Sequence, residues 1–510
     1  MTKYDSATLE RLVFRRQFIL GPRFVQQFPA WQRIIVDGRL HLTAHPDLDV
    51  CHVARRDKSI TLLGYLLDPA RPAARNGDIV AELLHKLDTG DDLLEHMARF
   101  GGRWVLVVND GVRTVAFADA AGLRQVAYTG GSAAGQMWCA SQPGLIAEVV
   151  NLPMDSEAVA LLQENALAWL PGDATPYAGI KLLLPNHYLD LGTGRPRRYW
   201  PNADLPAIPR RAAITNSAEI IRGLMEGMQR RGDSMLALTA GWDSRLTLAA
   251  SRPMASRVFY FTALFCNMAE GDEDVTTPSR LLPKLGLKHE LVDCRNAVDD
   301  EFARIYRRNV IMGHEEYCAV AQGLLDQTPK ERTCIRGDVG EVVKGYFRLG
   351  RSNGKDVTAH ELAVLAGLPV QPFVMKELER WLSGARGRSY NVPLMDLFCW
   401  EQLVGRLHAM IQAECDIARE SFAPLNCRSL LTTMLSVPER YRQWPTFDVL
   451  RAVIQRLWPG ALVEPVNGRP QVGPEVVIRR TLASVGLLQL VPRPIKRMAK
   501  KLIAQSRGTS

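Results

Sequence analysis

The chain has 510 residues, of which 47% are apolar and 23% charged, with a formal net charge of +9. That is enough chain for two or three full-sized cores, and no stretch approaches the ~18 unbroken apolar residues of a membrane span. The charge is uneven: from Arg479 to Ser510 there are eight bases and no acids, and taking those eight from the 63 leaves 55 bases against 54 acids. The body is nearly neutral, so a chain-wide nucleic-acid surface is excluded and the basicity belongs to the tail.

The start, MTKYDSATLERLVFRRQF, mixes acids with bases and lacks the apolar core of a signal peptide, so a cytoplasmic location is expected. Nine cysteines, odd in number and never in a C-x-x-C pair, argue against a disulfide framework or a structural zinc site. Residues 1–20 read as a helical leader. From there to about Leu191 short strands alternate with turns and helices. DIVAELLHKL has helical spacing, and Asn109-Asp110-Gly111 between two β-rich runs predicts a hairpin. After the Pro-rich PNADLPAIPRR the pattern changes. A helix carrying Ile220, Ile221, Leu224, Met225 and Met228 on one stripe precedes four apolar strands, MLALT, RVFYFTAL, HELVD and TCIR, separated by helical segments. That alternation predicts a parallel α/β sheet, and the chain beyond about Gly354 reads as helical.

The segment Ser234-Met-Leu-Ala-Leu238-Thr239-Ala240-Gly241-Trp242-Asp243-Ser244-Arg245 is a strand, a small-residue turn, and an acid and a hydroxyl opening a helix. Such a turn offers backbone N–H groups and a helix N-terminus to an anion. Asp243 can bind the magnesium of a nucleotide, Ser244 can donate to a phosphate oxygen, and Arg245 adds positive charge. Asp243 as a plain helix cap is the competing reading.

This segment resembles the S-G-G-x-D-S loop of the ATP pyrophosphatases, with Thr239 for serine and Ala240 for a glycine. Downstream, Arg336-Gly337-Asp338-Val339-Gly340-Glu341-Val342-Val343-Lys344-Gly345-Tyr346 resembles the S-G-E-G-x-D-E-x-F-G-G-Y segment of asparagine synthetases and their β-lactam synthetase relatives. The resemblance implies Asp338 as catalytic acid or base, Glu341 with Asp243 as magnesium ligands, Gly337 against the nucleotide and Leu238 against its base. Lys344 and Arg469 are candidates to stabilise developing negative charge, Lys344 competing with a role as a solvated helix-end lysine. Phe100-Gly-Gly-Arg103-Trp104 and Asp119-Ala-Ala-Gly122-Leu-Arg124 resemble the glutaminase half of the same family, yet the N-terminal cysteine that glutamine hydrolysis needs is absent.

The resemblance therefore implies an α/β protein with two parts. Residues 1–200 form a degenerate glutaminase-like scaffold of the Ntn-type αββα kind. Residues 201–510 form a parallel-sheet, nucleotide-binding synthetase domain with a helical C-terminal part. It further implies ATP and Mg2+ as cofactors, and carboxylate and amine substrates, small molecules or peptides, joined through an acyl adenylate in the manner of β-lactam synthetases and lasso-peptide cyclases. The reading requires the bend from Thr239 to Ser244 to line a cavity. A nucleotide-binding pseudoenzyme or interaction protein, and a tRNA-modifying ATP pyrophosphatase, are the alternatives; no nucleic-acid partner is expected. The tail over 493–510 spaces Ile495, Met498, Ala499, Leu502 and Ile503 as one apolar stripe opposite Lys496, Arg497, Lys500 and Lys501. Docking on the body, contact with anionic lipid, and capture of an acidic substrate, peptide or protein partner remain open for it.

Overall fold

The computed structural model describes residues 2–130, 136–164, 169–347 and 356–468. The hairpin turn forms where the sequence places it: the strands Gly101–Asn109 and Thr114–Ala118 pair antiparallel, with Gly111 at φ +90° in the turn. Both belong to a six-stranded sheet that also contains Val50–Arg55, Lys58–Leu67, His187–Asp190 and Arg195–Arg198. Its strands alternate strictly, as a sheet covered on both faces by different layers must. Ile60, Leu62, Leu66, Leu106, Val108 and Phe117 face the helix Asn76–Thr89. Leu63, Val105, Val107, Ala116 and Ala118 face Phe18, Leu20, Leu42 and Ala44 of a second antiparallel sheet. The far side of that second sheet packs on the helix Pro143–Val150. The first 200 residues thus stack as helix, sheet, sheet, helix.

The leader is shorter than the sequence suggests. The helix covers Ser6–Leu12 and is capped by Asp5, after which Phe18–Gly21 runs as a fully buried strand of the second sheet. Period-two packing of Phe18 and Leu20 against the facing sheet overrides the helical pattern of the preceding turn.

Beyond the helix Arg210–Gln229 lies a parallel sheet containing Ser234–Ala237, Val258–Leu264, Glu290–Asp293 and Thr333–Ile335, the four expected strands. A fifth strand, Ser421–Phe422, was not foreseen; two residues give no periodicity to read. Helices dominate the described chain after 356, as expected, including a buried π-helical stretch Cys399–His408. All nine cysteines are free. No helix among the described residues is long and apolar enough to cross a membrane.

The Asp119–Arg124 turn proves to be a structural joint. Asp119 accepts from the N–H groups of Leu123 (2.9 Å), Arg124 (2.9 Å) and Trp104 (3.2 Å), and Gly122 supplies the left-handed residue. The turn aims Arg124 at Glu420 (2.9 Å) while Arg103 grips Asp416 and Glu420 (2.8 and 3.1 Å). Tyr65 donates to the Ser421 carbonyl (2.6 Å), so the antiparallel layers are bolted to the start of the fifth parallel strand.

Candidate functional site

The parallel strands lie in the order Glu290–Asp293, Val258–Leu264, Ser234–Ala237, Thr333–Ile335, Ser421–Phe422. From Ser234–Ala237 the chain first builds outward on one side and then returns to the other, so the order reverses between it and Thr333–Ile335. In open α/β sheets that reversal leaves a crevice outside the carboxyl ends of the strands, where ligands bind. The two motif loops leave the two strands that flank this point.

The first loop closes on itself. Thr239 N–H donates to Ser244 Oγ (3.1 Å), the two hydroxyls lie 2.9 Å apart, and Gly241 caps the helix Trp242–Ala250. Ala240 N–H donates to Asp274 Oδ1 at 2.9 Å. In the second loop Val339 is fully buried at φ +80° and caps the short helix Gly340–Val343. A β-branched residue there carries strain on the order of 1–3 kcal/mol. The loops meet at two glycines, Gly337 against the Asp243–Ser244 backbone and Gly340 against the Asp243 carboxylate. A Cβ on Gly337 would sit 2.8 Å from Asp243 Cβ, and one on Gly340 would overlap Asp243 Oδ1. Gly340→Ala is therefore expected to destabilise the protein by about 1–3 kcal/mol, read from denaturant unfolding, because the Asp243 carboxylate, held by Lys344, would have to move.

The site's charges are tightly shared. Lys344, partly buried, donates to Asp243 Oδ2 and to Glu341 Oε1, the latter at 3.1 Å. Burial, with Glu341's charge adding to it, pushes the Asp243 carboxyl up to about 6 against the pull of Lys344. Glu341 is also penalised by burial, but Lys344 and His408 bring it below the usual range. Burial works against the Lys344 ammonium, and Asp243 and Glu341 outweigh it, holding the ammonium firmly protonated. Asp338 accepts from Arg336 Nε (2.9 Å) and Gln412 Nε2 (2.8 Å). Burial opposes its charge, and Arg336 and His408 still lower its proton affinity.

Sequence reading missed His408 and Gln412. Both sit on the long buried helix containing the π-helical stretch, and π-bulges frequently mark functional sites. His408 Nδ1 stands 3.8 Å from Glu341 Oε2 and 4.0 Å from Asp338 Oδ1. Four buried atoms, Asp243 Oδ1, Glu341 Oε2, His408 Nδ1 and Gln412 Oε1, find no hydrogen-bond partner among the described residues. Leaving one such atom unsatisfied costs about 1–3 kcal/mol, so a cluster of them needs an explanation in ligand terms. Two carboxylates already converging on one cation fit Mg2+, which takes one or two carboxylates together with substrate phosphates. No group of three or more His, Cys, Asp and Glu able to hold a metal occurs among the described residues, and Mg2+ does not require one.

Several of the candidate residues make contacts that the sequence does not announce. Arg245 does not face the loop: its guanidinium is buried and donates to the carbonyls of Ala461 and Pro465 (2.7 Å each), tying down the segment behind the helix. Leu238, 2% exposed, belongs to the same core cluster as Trp242 and Leu246. Gly337 lies against the Asp243–Ser244 backbone, so loop packing is what demands glycine there. Asp338, held by Arg336 and Gln412, is a weaker proton acceptor than expected, and Lys344 is a partly buried bridge between two carboxylates rather than a solvated helix-end lysine. The bend itself is only partly exposed. Four cavities lined by described residues, of about 510, 370, 40 and 10 Å3, all lie elsewhere, so the cavity expected beside the Thr239–Ser244 bend is not among them. Arg469 and the tail from 493 lie outside the described residues.

No family model and no curated protein matches the chain. Among solved structures it is similar to the glutamine phosphoribosylpyrophosphate amidotransferase from B. subtilis complexed with ADP and GMP, at 12% identity, covering 77% of this chain and 92% of that one, with a TM-score of 0.21. A structure described as the allosteric regulatory enzyme of purine biosynthesis gives 11% identity, 77% and 90% coverage and a TM-score of 0.24.

Proposed function

We propose that the chain is an ATP-dependent, AMP-forming amide-bond synthetase that adenylates a carboxylate and couples it to an amine without hydrolysing glutamine. Residues 1–200 serve in this reading as a scaffold, and 201–510 carry the chemistry. The single observation that supports it most is the convergence of Asp243 and Glu341, from loops on adjacent parallel strands, on one cation at the strand-order reversal.

Asp243 and Glu341 would hold Mg2+, which neutralises the triphosphate; the Thr239–Ser244 bend would receive the leaving pyrophosphate through its N–H groups and hydroxyls. Lys344 keeps the two carboxylates together before the nucleotide arrives and carries the positive charge that a phosphate oxygen can use once it lets go. Asp338, ionised throughout the neutral range, holds Gln412 and Arg336 at the rim and faces His408. The amine comes from ammonia, a second molecule or the same substrate.

The second reading, a nucleotide-binding or interaction protein without turnover, is favoured by two observations: the Ala240 N–H that a phosphate oxygen would use is taken by the Asp274 carboxylate, and none of the four cavities lies beside the bend. Carboxylate-dependent exchange of labelled pyrophosphate into ATP, run over a panel of amino acids and short peptides, separates the two. Exchange with some member upholds the synthetase; tight ATP binding with no exchange across the panel supports the second reading.

A further inference from the structure

At the opposite, amino end of the same parallel sheet lies the largest of the four cavities, about 510 Å3. It is walled by Gly64 and Tyr65 of an antiparallel strand, by Arg231 just past the helix Arg210–Gln229, and by Thr333 and Ala418–Glu420, where two parallel strands begin. Its volume falls within the ~300–1,000 Å3 of small-molecule sites. Its lining is unlike that of an ordinary ligand pocket: eight arginine and lysine side chains against four carboxylates.

Two of those carboxylates are engaged, while Asp49 and Glu331 form no ion pair among the described residues and act at longer range on Arg231 and Arg419. Asp47 is shared by Arg11 and Arg15, at 2.9 and 2.7 Å. Glu420 is taken from behind by Arg103 and Arg124, leaving Arg16 at 4.0 Å. Arg75, Arg231, Lys330 and Arg419 form no ion pair among the described residues. Arg231 and Arg16 each spend one Nη on a carbonyl, of Leu66 and Asp416 (2.5 Å each), and Arg419 is buried on the carbonyls of Ala418 and Thr328. Burial lowers the proton affinity of Arg16, Arg231 and Arg419, and neighbouring arginines lower it further. Arg16 is also held in the left-handed region, at φ +60°, in the connection that leads into the first strand. Cations gathered in a recess without matching acids are unfavourable unless an anion completes them.

We propose that this cavity binds a small polyanion, a molecule bearing two or more phosphate or carboxylate groups, gripped by the guanidinium forks of Arg231 and Arg16 and by Arg75 and Lys330 at the rim. Arginine suits the task because its planar fork pairs two-pronged with either oxyanion. The site is separate from the nucleotide crevice, since it opens at the amino ends of strands whose carboxyl ends carry Asp243 and Asp338.

The test is calorimetric titration of the full chain at low salt with EDTA, using inorganic triphosphate in one arm and citrate in the other. The expected result is saturable binding of at least one of them. Its dissociation constant rises by about tenfold or more in Arg231→Met and in Arg75→Glu, and changes by less than about twofold in Asp243→Ala. Tighter triphosphate identifies a phosphate ligand, tighter citrate a polycarboxylate, and either upholds the site. Should Arg231→Met fail to fold, the exposed Arg75→Glu and Lys330→Glu decide. Absence of saturable binding in both arms overturns the proposal, as does binding that Asp243→Ala weakens while the cavity variants leave it intact.

Discussion

Asp243→Ala is expected to reduce carboxylate-dependent pyrophosphate exchange by at least about a hundredfold while leaving the protein folded, because electrostatic groups aimed at a reacting centre are worth that much. The two halves of this expectation have different physical sources. The loss of exchange follows from removing one of the two carboxylates that converge on the cation, which leaves Lys344 with Glu341 alone. The retained stability follows from the sign of the Asp243 shift. Its carboxyl is pushed up to about 6, above its ordinary 3.8, so the folded state binds its proton more tightly than the unfolded state. Stability from this group is present below 3.8 and is lost as pH rises to about 6, so at neutral pH the ionised carboxylate is a burden on the fold. Losing a partner of the Lys344 ammonium works the other way, and the net change in unfolding free energy at neutral pH is expected within about 1 kcal/mol. Exchange by the variant within tenfold of the wild type, with the same carboxylate, would remove Asp243 from the reaction.

Glu420→Gln is expected to have the largest effect on stability, about 3 kcal/mol at neutral pH, because breaking a buried pair leaves charge uncompensated. Burial alone would raise the Glu420 carboxyl, but Arg124, Arg103 and Arg16 hold it down at about 2 against an ordinary 4.5. A depressed carboxyl contributes stability above 4.5 that disappears as pH falls toward about 2, and that shift is also worth about 3 kcal/mol. Asp416 runs the other way, raised by burial and by Glu420 despite Arg103, so the wild-type loss on acidification is smaller than Glu420 alone would give. Denaturant midpoints at pH 7 and pH 3 check this: the gap between wild type and variant is wide at pH 7 and narrows at pH 3. An equal gap at both values would show that the network's charge is not what stabilises the joint.

Much of the architecture was legible because its signals are local. The Asn109-Asp110-Gly111 turn, the helical stripe from Ile220 to Met228 and the four apolar strands are each set by spacing within a dozen residues. The helical leader ends at Leu12, short of the expected 20 residues, because strand pairing at Phe18 and Leu20, a long-range contact, decides. Within the site, the two loops could be read as motifs, and they lie side by side. What those residues touch could not be read. Arg245 and Asp243 are two residues apart on one helix and point to opposite sides, one toward the crevice and one toward Ala461 and Pro465. His408 and Gln412 reach the site from a helix 60 or more residues further on, through a π-helical stretch that no short pattern announces. Val339 occupies a left-handed position that usually takes glycine, so the sequence hides a backbone shape that the structure keeps.

The claim on which the rest depends is that Asp243 and Glu341 form a magnesium-dependent nucleotide site in exchange for Lys344. Calorimetric titration of the full chain with ATP, in Mg2+ and in EDTA, tests it directly. The account predicts one ATP per chain in Mg2+, little binding in EDTA, and affinity lowered by about tenfold or more in Glu341→Gln. ATP binding of equal strength with and without Mg2+, or unchanged by Glu341→Gln, would contradict it.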